Sequence, residues 1–128
     1  MAFRNEVAFD TNFLIYAVQS KQDIFTQLEQ LFGEKVSFVV PEQVDRELSK
    51  LSMKGGKLTK NIKLVRMLMQ AKSVVKKKVV ARNADAALLK LAKNGTLVAT
   101  NDRELKRKIN AASEKVAYLR QKSYIEIG

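Results

Sequence analysis

The feature that most constrains this chain is an alternation of strand-like and helix-like segments along its length. It begins with the apolar run Val7-Ala8-Phe9, which is followed at once by Asp10. A short apolar run of this kind is typical of a strand buried on both faces of a parallel sheet. Further strand patterns lie at 36–40, 73–80, 96–100 and 116–119. We therefore predict an α/β fold, a three-layer α/β/α sandwich with a central parallel sheet of four or five strands.

Helical spacing of apolar residues fills the intervals between these strands. Predicted helices lie at 11–20, 23–32, 41–51, 61–71, 83–94 and 102–112. Asn12 is the expected N-cap of the first helix. The segment Met53–Lys60 contains Gly55-Gly56 among three lysines, which predicts a flexible basic loop.

Composition limits the chemistry that the chain can perform. At 128 residues we expect one domain spanning 1–128. The chain has no cysteine and no histidine, which excludes thiol nucleophiles, imidazole bases and the usual zinc sites. Carboxylates, lysines, hydroxyls or a hard metal ion must then carry any catalysis. No apolar run approaches the ~18 residues of a membrane span, so we expect no membrane partner and a cytoplasmic protein.

The net charge is strongly positive, +11 with a pI near 10.0. Such a charge favours a polyanion as partner, and nucleic acid is the first choice, although acidic membranes or proteins are attracted by the same field. We expect RNA to be held by basic residues of the glycine loop and of the last predicted helix, namely Lys54, Lys57, Lys60, Arg103 and Lys106.

Four of the 13 acidic residues occupy unusual positions. Asp10 comes directly after a strand pattern and Asp102 two residues after another, where open α/β sheets place their ligand sites. Asp85 points towards the apolar side of its helix, and Glu47 lies at the margin of a buried stripe. Taken alone, each has a plainer explanation: helix capping for the aspartates and a surface pair with Lys50 for Glu47.

Capping does not explain why these acids share one location. The carboxyl ends of parallel strands and the starts of the following helices meet at the same edge of a sheet. Carboxylates that converge there repel one another, so some must protonate or a cation must hold them. Hard oxygen ligands select Mg²⁺ or Mn²⁺. The sequence thus predicts a metal-dependent nuclease whose catalytic and metal-binding residues are Asp10, Glu47, Asp85 and Asp102.

Four motifs in the same order resemble the PIN-domain ribonucleases. The matching segments are Phe9-Asp10-Thr11-Asn12, Pro41-Glu42-Gln43-Val44-Asp45-Arg46-Glu47-Leu48, Ala84-Asp85-Ala86-Ala87-Leu88 and Val98-Ala99-Thr100-Asn101-Asp102-Arg103-Glu104-Leu105. The segment 99–108, followed by 116–120, is most similar to the PIN nuclease of the eukaryotic small-subunit processome and its archaeal relatives. This resemblance implies a PIN-like fold and an endoribonuclease that acts in ribosomal-RNA processing.

The resemblance also implies a set of site residues and partners. It implies that the four acids bind one or two Mg²⁺ or Mn²⁺ ions, and that neighbouring polar residues support them, namely Thr11, Asn12, Thr100, Asn101 and Glu104. The substrate would be single-stranded RNA or a ribosomal precursor, and a homodimer is expected because many members pair. One departure is Ala86, where processome-type members often carry a second aspartate; it implies a weaker second metal site or weaker cleavage.

Three alternatives stay open beside this interpretation. The PIN family includes the toxins of toxin–antitoxin pairs, so a toxin-type ribonuclease is one alternative. Ala86 favours another, a catalytically weak RNA-binding factor of ribosome assembly. A receiver-like phosphoacceptor domain also gathers aspartates at strand ends, but it usually carries an acidic pair after the first strand, whereas Asp10 stands alone and Val40 leads into Pro41.

Overall fold

A computed structural model describes residues 5–120 and 124–128 of the chain. Strands and helices alternate along most of it, as the hydrophobic pattern predicts. The strands are β1 (Glu6–Phe9), β2 (Ser37–Pro41), β3 (Val75–Lys77), β4 (Leu97–Ala99), β5 (Val116–Arg120) and β6 (Tyr124–Ile127). The helices are α1 (Thr11–Gln19), α2 (Ile24–Phe32), α3 (Glu42–Leu51), α4 (Gly56–Ala71), α5 (Ala84–Lys93) and α6 (Arg103–Ala111).

The strands form one sheet in the order β3-β2-β1-β4-β5-β6. The first five are parallel, and β6 pairs antiparallel with β5 through Ala117 and Ile127. The predicted three-layer α/β fold with a parallel sheet is therefore confirmed. The prediction of four or five strands omitted β6, a short edge strand in which Glu126 interrupts the apolar residues.

The direction of the chain through the sheet reverses beside β1. Strands β2 and β3 lie on one side of β1, and β4, β5 and β6 lie on the other. Right-handed crossovers, which parallel strands almost always use, place the helices of the two halves on opposite faces. The gap between β1 and β4 is the topological switch point, where open α/β sheets bind ligands.

The core is built on β1, whose Val7, Ala8 and Phe9 are fully buried. The ring of Phe9 packs against those of Phe25 and Phe38, with centroids 5.2 and 5.7 Å away. A central strand buried on both faces explains why its sequence is a continuous apolar run and not an alternating one. The same burial encloses the residue that follows the strand, Asp10.

Two local expectations were wrong. The N-cap of α1 is Asp10 and not Asn12, because the strand passes directly into the helix. The segment predicted as a flexible loop is largely helical, since α4 begins at Gly56. The Thr59 hydroxyl accepts from Gly55 N at 2.8 Å and donates to Ser52 O at 2.7 Å, which fixes the start of that helix.

No helix in the described parts of the chain has the length and apolar character to cross a membrane.

Candidate active site at the carboxyl edge of the sheet

Four helices begin at the carboxyl edge of the parallel sheet. Helices α1, α3, α5 and α6 each follow one of the first four strands in sequence. Asp10 comes after β1, and Thr100 comes after the neighbouring β4. The positive ends of helix dipoles gather there, which favours negative side chains and anionic ligands.

Asp10 is the buried acid of this edge. Its side chain is 7% exposed and makes no capping hydrogen bond to α1, although the residue occupies the N-cap position. Its Oδ2 instead accepts a hydrogen bond of 2.7 Å from the hydroxyl of Thr100, which is completely buried. Helix capping therefore does not account for this carboxylate.

The pKa of Asp10 is raised from 3.8 to about 6. Burial is the main cause, and the negative charges of Asp85 and Glu47 add to it. The hydrogen bond from Thr100 acts in the opposite direction. The charges of Asp85 and Glu47 thus act on Asp10 across the fold, although Asp85 is 75 positions farther along the chain.

Separate helices carry the two neighbouring acids. Asp85 lies in the first turn of α5 and is partly buried, and that helix is capped by Asn83, whose side chain accepts from Ala86 N at 2.8 Å. Glu47 lies in the middle of α3 and is exposed. Its Oε1 accepts a hydrogen bond from the hydroxyl of the buried Thr11, directly after Asp10. Thr11 thus positions Glu47 beside the buried acid.

Asp102 is joined to Asp10 through Thr100. The Thr100 hydroxyl, which donates to Asp10, accepts from the backbone N–H of Asp102 at 3.0 Å. The carboxylate of Asp102 is exposed and caps α6, since its Oδ1 accepts from the N–H groups of Glu104 and Leu105 at 2.9 and 3.2 Å. The capping explanation therefore holds for Asp102, while its backbone belongs to the same network as Asp10.

The arrangement offers hard oxygen ligands without forming a closed cage. Across residues 5–120 and 124–128, no three acidic side chains are grouped tightly enough to hold a metal ion as they stand. The donors nevertheless suit Mg²⁺ or Mn²⁺, because a desolvated carboxylate faces two further acids and a bound cation would relieve their repulsion.

The remaining polar residues expected near the site have different partners. Asn101 exchanges two hydrogen bonds with the backbone of Leu119, at 3.1 and 3.0 Å, and so ties the β4–α6 connection to β5. Glu104 is exposed and forms an ion pair with Arg107, which lowers its pKa. Asn12 is exposed on α1.

A basic cleft of about 240 Å³ adjoins the acids. Its lining includes Thr100, Asn101, Arg103, Lys106 and Tyr118. The Nζ of Lys106 lies 3.9 Å from the centre of the Tyr118 ring, a cation–π contact. Because Thr100 also bonds Asp10, the cleft opens beside the buried acid.

The other predicted RNA-binding residues lie elsewhere. Lys54 is in the α3–α4 connection, and Lys57 and Lys60 are on the first turns of α4; all three are exposed.

The sequence patterns did not indicate a structural role for Gln43. This residue is buried at the start of α3, and its Nε2 donates to the carbonyls of Val79 and Ala81 at 2.7 and 3.0 Å. Those carbonyls belong to the segment that leads into α5, so Gln43 fixes the approach to Asp85. Its side chain is adjacent to a stripe of apolar residues, and nothing in the pattern distinguishes it from a surface glutamine.

The comparison with known families is decisive. A family model described as "PIN like domain" matches residues 7–122. The chain belongs to the PIN-domain family. The resemblance inferred from the four motifs is therefore confirmed.

Two sequence relatives match this chain along most of their length. Ribonuclease VapC4 of Methanocaldococcus jannaschii is 38% identical over 122 residues, which is 92% of each chain. Ribonuclease VapC9 of Archaeoglobus fulgidus is 35% identical over 114 residues, covering 88% of this chain and 81% of the relative.

Solved structures agree on the PIN fold. The PIN domain endonuclease Utp24 matches with a TM-score of 0.78 at 22% identity, over 95% of this chain and 90% of its own. VapBC2 from Rickettsia felis, solved bound to a DNA fragment from the promoter, matches with a TM-score of 0.60 at 15% identity, over 80% and 92%. At these identities the likeness concerns the fold.

Proposed function

We propose that this PIN-domain protein is a metal-dependent endoribonuclease that hydrolyses phosphodiester bonds of RNA. The observation that carries the proposal is the buried Asp10 at the switch point, whose pKa is raised by burial and by Asp85 and Glu47. A charge this unfavourable in the free protein is typical of a functional site. Around it, the chain has a net charge of +11, which attracts a polyanion.

Asp10, Glu47, Asp85 and Asp102 would hold Mg²⁺ or Mn²⁺. When bound, the cation supplies Lewis-acid stabilisation of the charge that develops on the phosphate and lowers the pKa of water. Thr100 holds the carboxylate of Asp10, and Thr11 holds that of Glu47. To contact the cation, the carboxylate of Asp102 would give up part of its hydrogen bonding to the start of α6.

Basic residues would position the RNA. Arg103 and Lys106 line the cleft beside Thr100, where they would bind the phosphate next to the scissile bond. Tyr118 adds an aromatic ring to the lining of the same cleft. Lys54, Lys57 and Lys60 would contact RNA farther along α4.

For the substrate we propose single-stranded RNA of a ribosomal precursor, cut in the cytoplasm by a protein that pairs with a second copy. The similarity of 99–108 and 116–120 to processome-type PIN nucleases supports the processing role. The second candidate is a toxin-type PIN ribonuclease, which is favoured by the names of the two sequence relatives, both called VapC ribonucleases.

The test compares cleavage of a single-stranded RNA with Mn²⁺ by the wild type and by two variants, Asp10→Asn and Asp85→Asn. We expect the wild type to cut, and each variant to lose at least 100-fold in rate. The matched control is Glu34→Gln, an acid in the exposed turn between α2 and β2, which we expect to cut normally. Equal rates for the wild type and Asp10→Asn would reject the assignment of the site.

The same assay tests the RNA-binding assembly factor suggested by Ala86. A protein of that kind binds RNA equally well with a chelator and shows no turnover with Mn²⁺. The toxin and processing candidates separate in cells. Growth arrest by the wild type but not by Asp10→Asn supports the toxin, whereas cuts confined to precursor ribosomal RNA support processing.

A further inference from the structure

A second basic cavity lies on the side of the molecule formed by β3 and α5. It has a volume of about 400 Å³. We call it the lysine pocket and define it by Lys77, Lys78, Val79, Val80, Lys90 and Thr96. None of these residues belongs to the candidate active site described above.

One of the three lysines of this pocket is paired with an acid. Lys77 Nζ lies 3.0 Å from Glu6 Oε1, and the hydroxyl of Thr96 donates to the same oxygen at 2.7 Å. In the described part of the chain, Lys78 and Lys90 form no ion pair with any carboxylate. The pocket therefore has an excess of positive charge.

Ordinary structural roles account for only part of this arrangement. Lysines on an edge strand discourage sheet-to-sheet association, and lysines in a last helical turn suit the helix dipole. Neither role requires the lysines of two elements to line one cavity. Lys90 nevertheless reaches back from α5 to donate to the carbonyl of Val80 at 3.0 Å. This contact holds its ammonium group against the backbone of Val80, within the lining of the pocket.

The lysine pocket is connected to the candidate active site by a hydrogen bond and by a shared helix. Its Val79 carbonyl accepts the hydrogen bond from Gln43 that fixes the approach to α5. Lys90 lies five residues beyond Asp85 on the same helix, a rise of about 7.5 Å at 1.5 Å per residue. A single strand that leaves the acids along α5 would reach Lys90 within a few nucleotides.

The chemistry of the lining indicates what binds there. Two lysines without acidic partners select phosphate oxygens, and Val79 and Val80 offer an apolar wall for a sugar or a base. Lysine acts as a point charge on phosphate and carries no sequence preference. An extended ligand with regularly spaced phosphates fits these features better than a compact one.

We propose that the lysine pocket is an exosite for the phosphodiester backbone of single-stranded RNA, a few nucleotides from the scissile bond. This inference rests on the proposed ribonuclease function, which it deepens. Lys78 and Lys90 bind the phosphates, while Lys77 stays paired with Glu6. The exosite selects RNA by length and not by sequence.

The test is RNA binding by the double variant Lys78→Gln/Lys90→Gln, measured with chelator so that no cleavage occurs. The matched control is Lys21→Gln/Lys35→Gln, two exposed lysines in the turns that flank α2. For an RNA of about 20 nucleotides we expect the pocket variant to bind roughly tenfold more weakly. The slope of log K against log [salt] should become less negative by about 1.4, because each lost phosphate contact to a single strand accounts for about 0.7. A trinucleotide should bind both double variants equally.

Several results would overturn the exosite. One is a pocket variant whose affinity and salt slope equal those of the control. Another is an equal loss of binding for inorganic phosphate, which would indicate a site for free phosphate. A third is a loss seen with polyglutamate but not with RNA, which would indicate an acidic protein partner. Equal thermal midpoints for the two double variants establish that both are folded.

Failure of the exosite is distinguishable from failure of the proposed function. A wild type that cuts RNA with Mn²⁺ while the pocket variant binds like the control retains the nuclease and loses only the exosite. A wild type that binds long RNA through the pocket but never cuts retains the exosite and loses the nuclease.

Discussion

At the scale of single residues, Asp10 combines a buried position with a charge that the fold does not neutralise. Its carboxylate accepts a hydrogen bond from the Thr100 hydroxyl, and the backbone N–H of Thr11 also favours the ionised form, but burial outweighs both. A carboxylate in this environment destabilises the free protein whenever it is ionised. The cation proposed for this site would offset that cost by neutralising the carboxylate.

The first prediction concerns the pH dependence of stability in the absence of metal. The pKa of Asp10 is about 6 against 3.8 in the unfolded chain, so protonation of Asp10 favours the folded state. This contribution is complete below pH 3.8 and is lost as the pH rises through about 6. In Asp10→Asn the side chain is neutral at every pH, so the variant avoids the cost of burying the ionised carboxylate. At pH 8 its free energy of unfolding should therefore exceed that of the wild type by up to about 3 kcal/mol.

Urea unfolding at pH 4 and at pH 8 checks this prediction. The difference between wild type and variant should be small at pH 4 and should grow towards pH 8. A constant difference at both values would contradict the raised pKa. Glu34→Gln serves as the control, because its exposed side chain should change stability little at either pH.

The second prediction concerns the Thr100 hydroxyl. Thr100→Val keeps the shape of the side chain but removes the donor to Asp10 and the acceptor of Asp102 N–H. A hydrogen bond to a charged group contributes about 1.5–3 kcal/mol. Cleavage should therefore fall roughly 10- to 100-fold, measured with Mn²⁺ on single-stranded RNA. Thr100→Ser, which keeps the hydroxyl, should recover most of the rate, and equal rates for both variants would exclude this role.

At the scale of elements, the site depends on how strands pass into helices. Each of β1, β2, β3 and β4 delivers its following helix to the same edge. Two devices hold these connections in place: Asn101 ties the start of α6 to β5, and Gln43 ties the approach of α5 to α3. Both act on backbone groups, so they position acids without contacting them.

The third prediction separates the two roles of Asp102. Asp102→Ala removes the cap of α6 and should lower the free energy of unfolding by about 1 kcal/mol. Asp102→Asn keeps a good capping side chain but removes the charge, so its stability should be close to that of the wild type. Both variants should cut RNA at least tenfold more slowly. Full activity of Asp102→Asn would restrict the residue to capping.

At the scale of the whole molecule, a basic exterior surrounds a small acidic site. The net charge of +11 would draw RNA to the surface, and the acids at the switch point would bind the cation that neutralises them. Association and catalysis are thus assigned to residues of opposite sign. The antiparallel β6 extends the sheet beyond β5, and Glu126 there bonds Tyr118 of the basic cleft at 2.7 Å.

The fourth prediction follows from linkage between metal binding and folding. A cation that binds only the folded protein raises its stability by RT ln(1 + [L]/Kd), about 2.7 kcal/mol at 100 times Kd. Mn²⁺ should therefore raise the thermal midpoint of the wild type by several degrees. Asp10→Asn and Asp85→Asn should show little of this rise, while Glu34→Gln should show all of it. No rise in the wild type would argue against a metal site.

Much of the fold could be predicted because its strands and helices have strong local patterns. The buried run of β1 and the helical stripe that turns Asp85 inwards are both visible in the order of residues. Where the local signal was weak, prediction failed. The glycines at 55 and 56 suggested a loop, although α4 begins at Gly56 and the Thr59 hydroxyl bonds Gly55 N. The segment Tyr124–Ile127 was too short to be recognised as a strand.

The sequence alone determined the family, the alternation of elements and the acids at the strand ends, because these depend on neighbours along the chain. Only the tertiary structure decided the partners of each acid. In the folded chain Asp10 accepts a hydrogen bond from Thr100 and Glu47 accepts one from Thr11. The carboxylate of Asp102 instead caps its own helix. The physical reason is distance along the chain. Contacts such as that between Thr100 and Asp10 join residues 90 positions apart, and periodicity, which is local, carries no information about them.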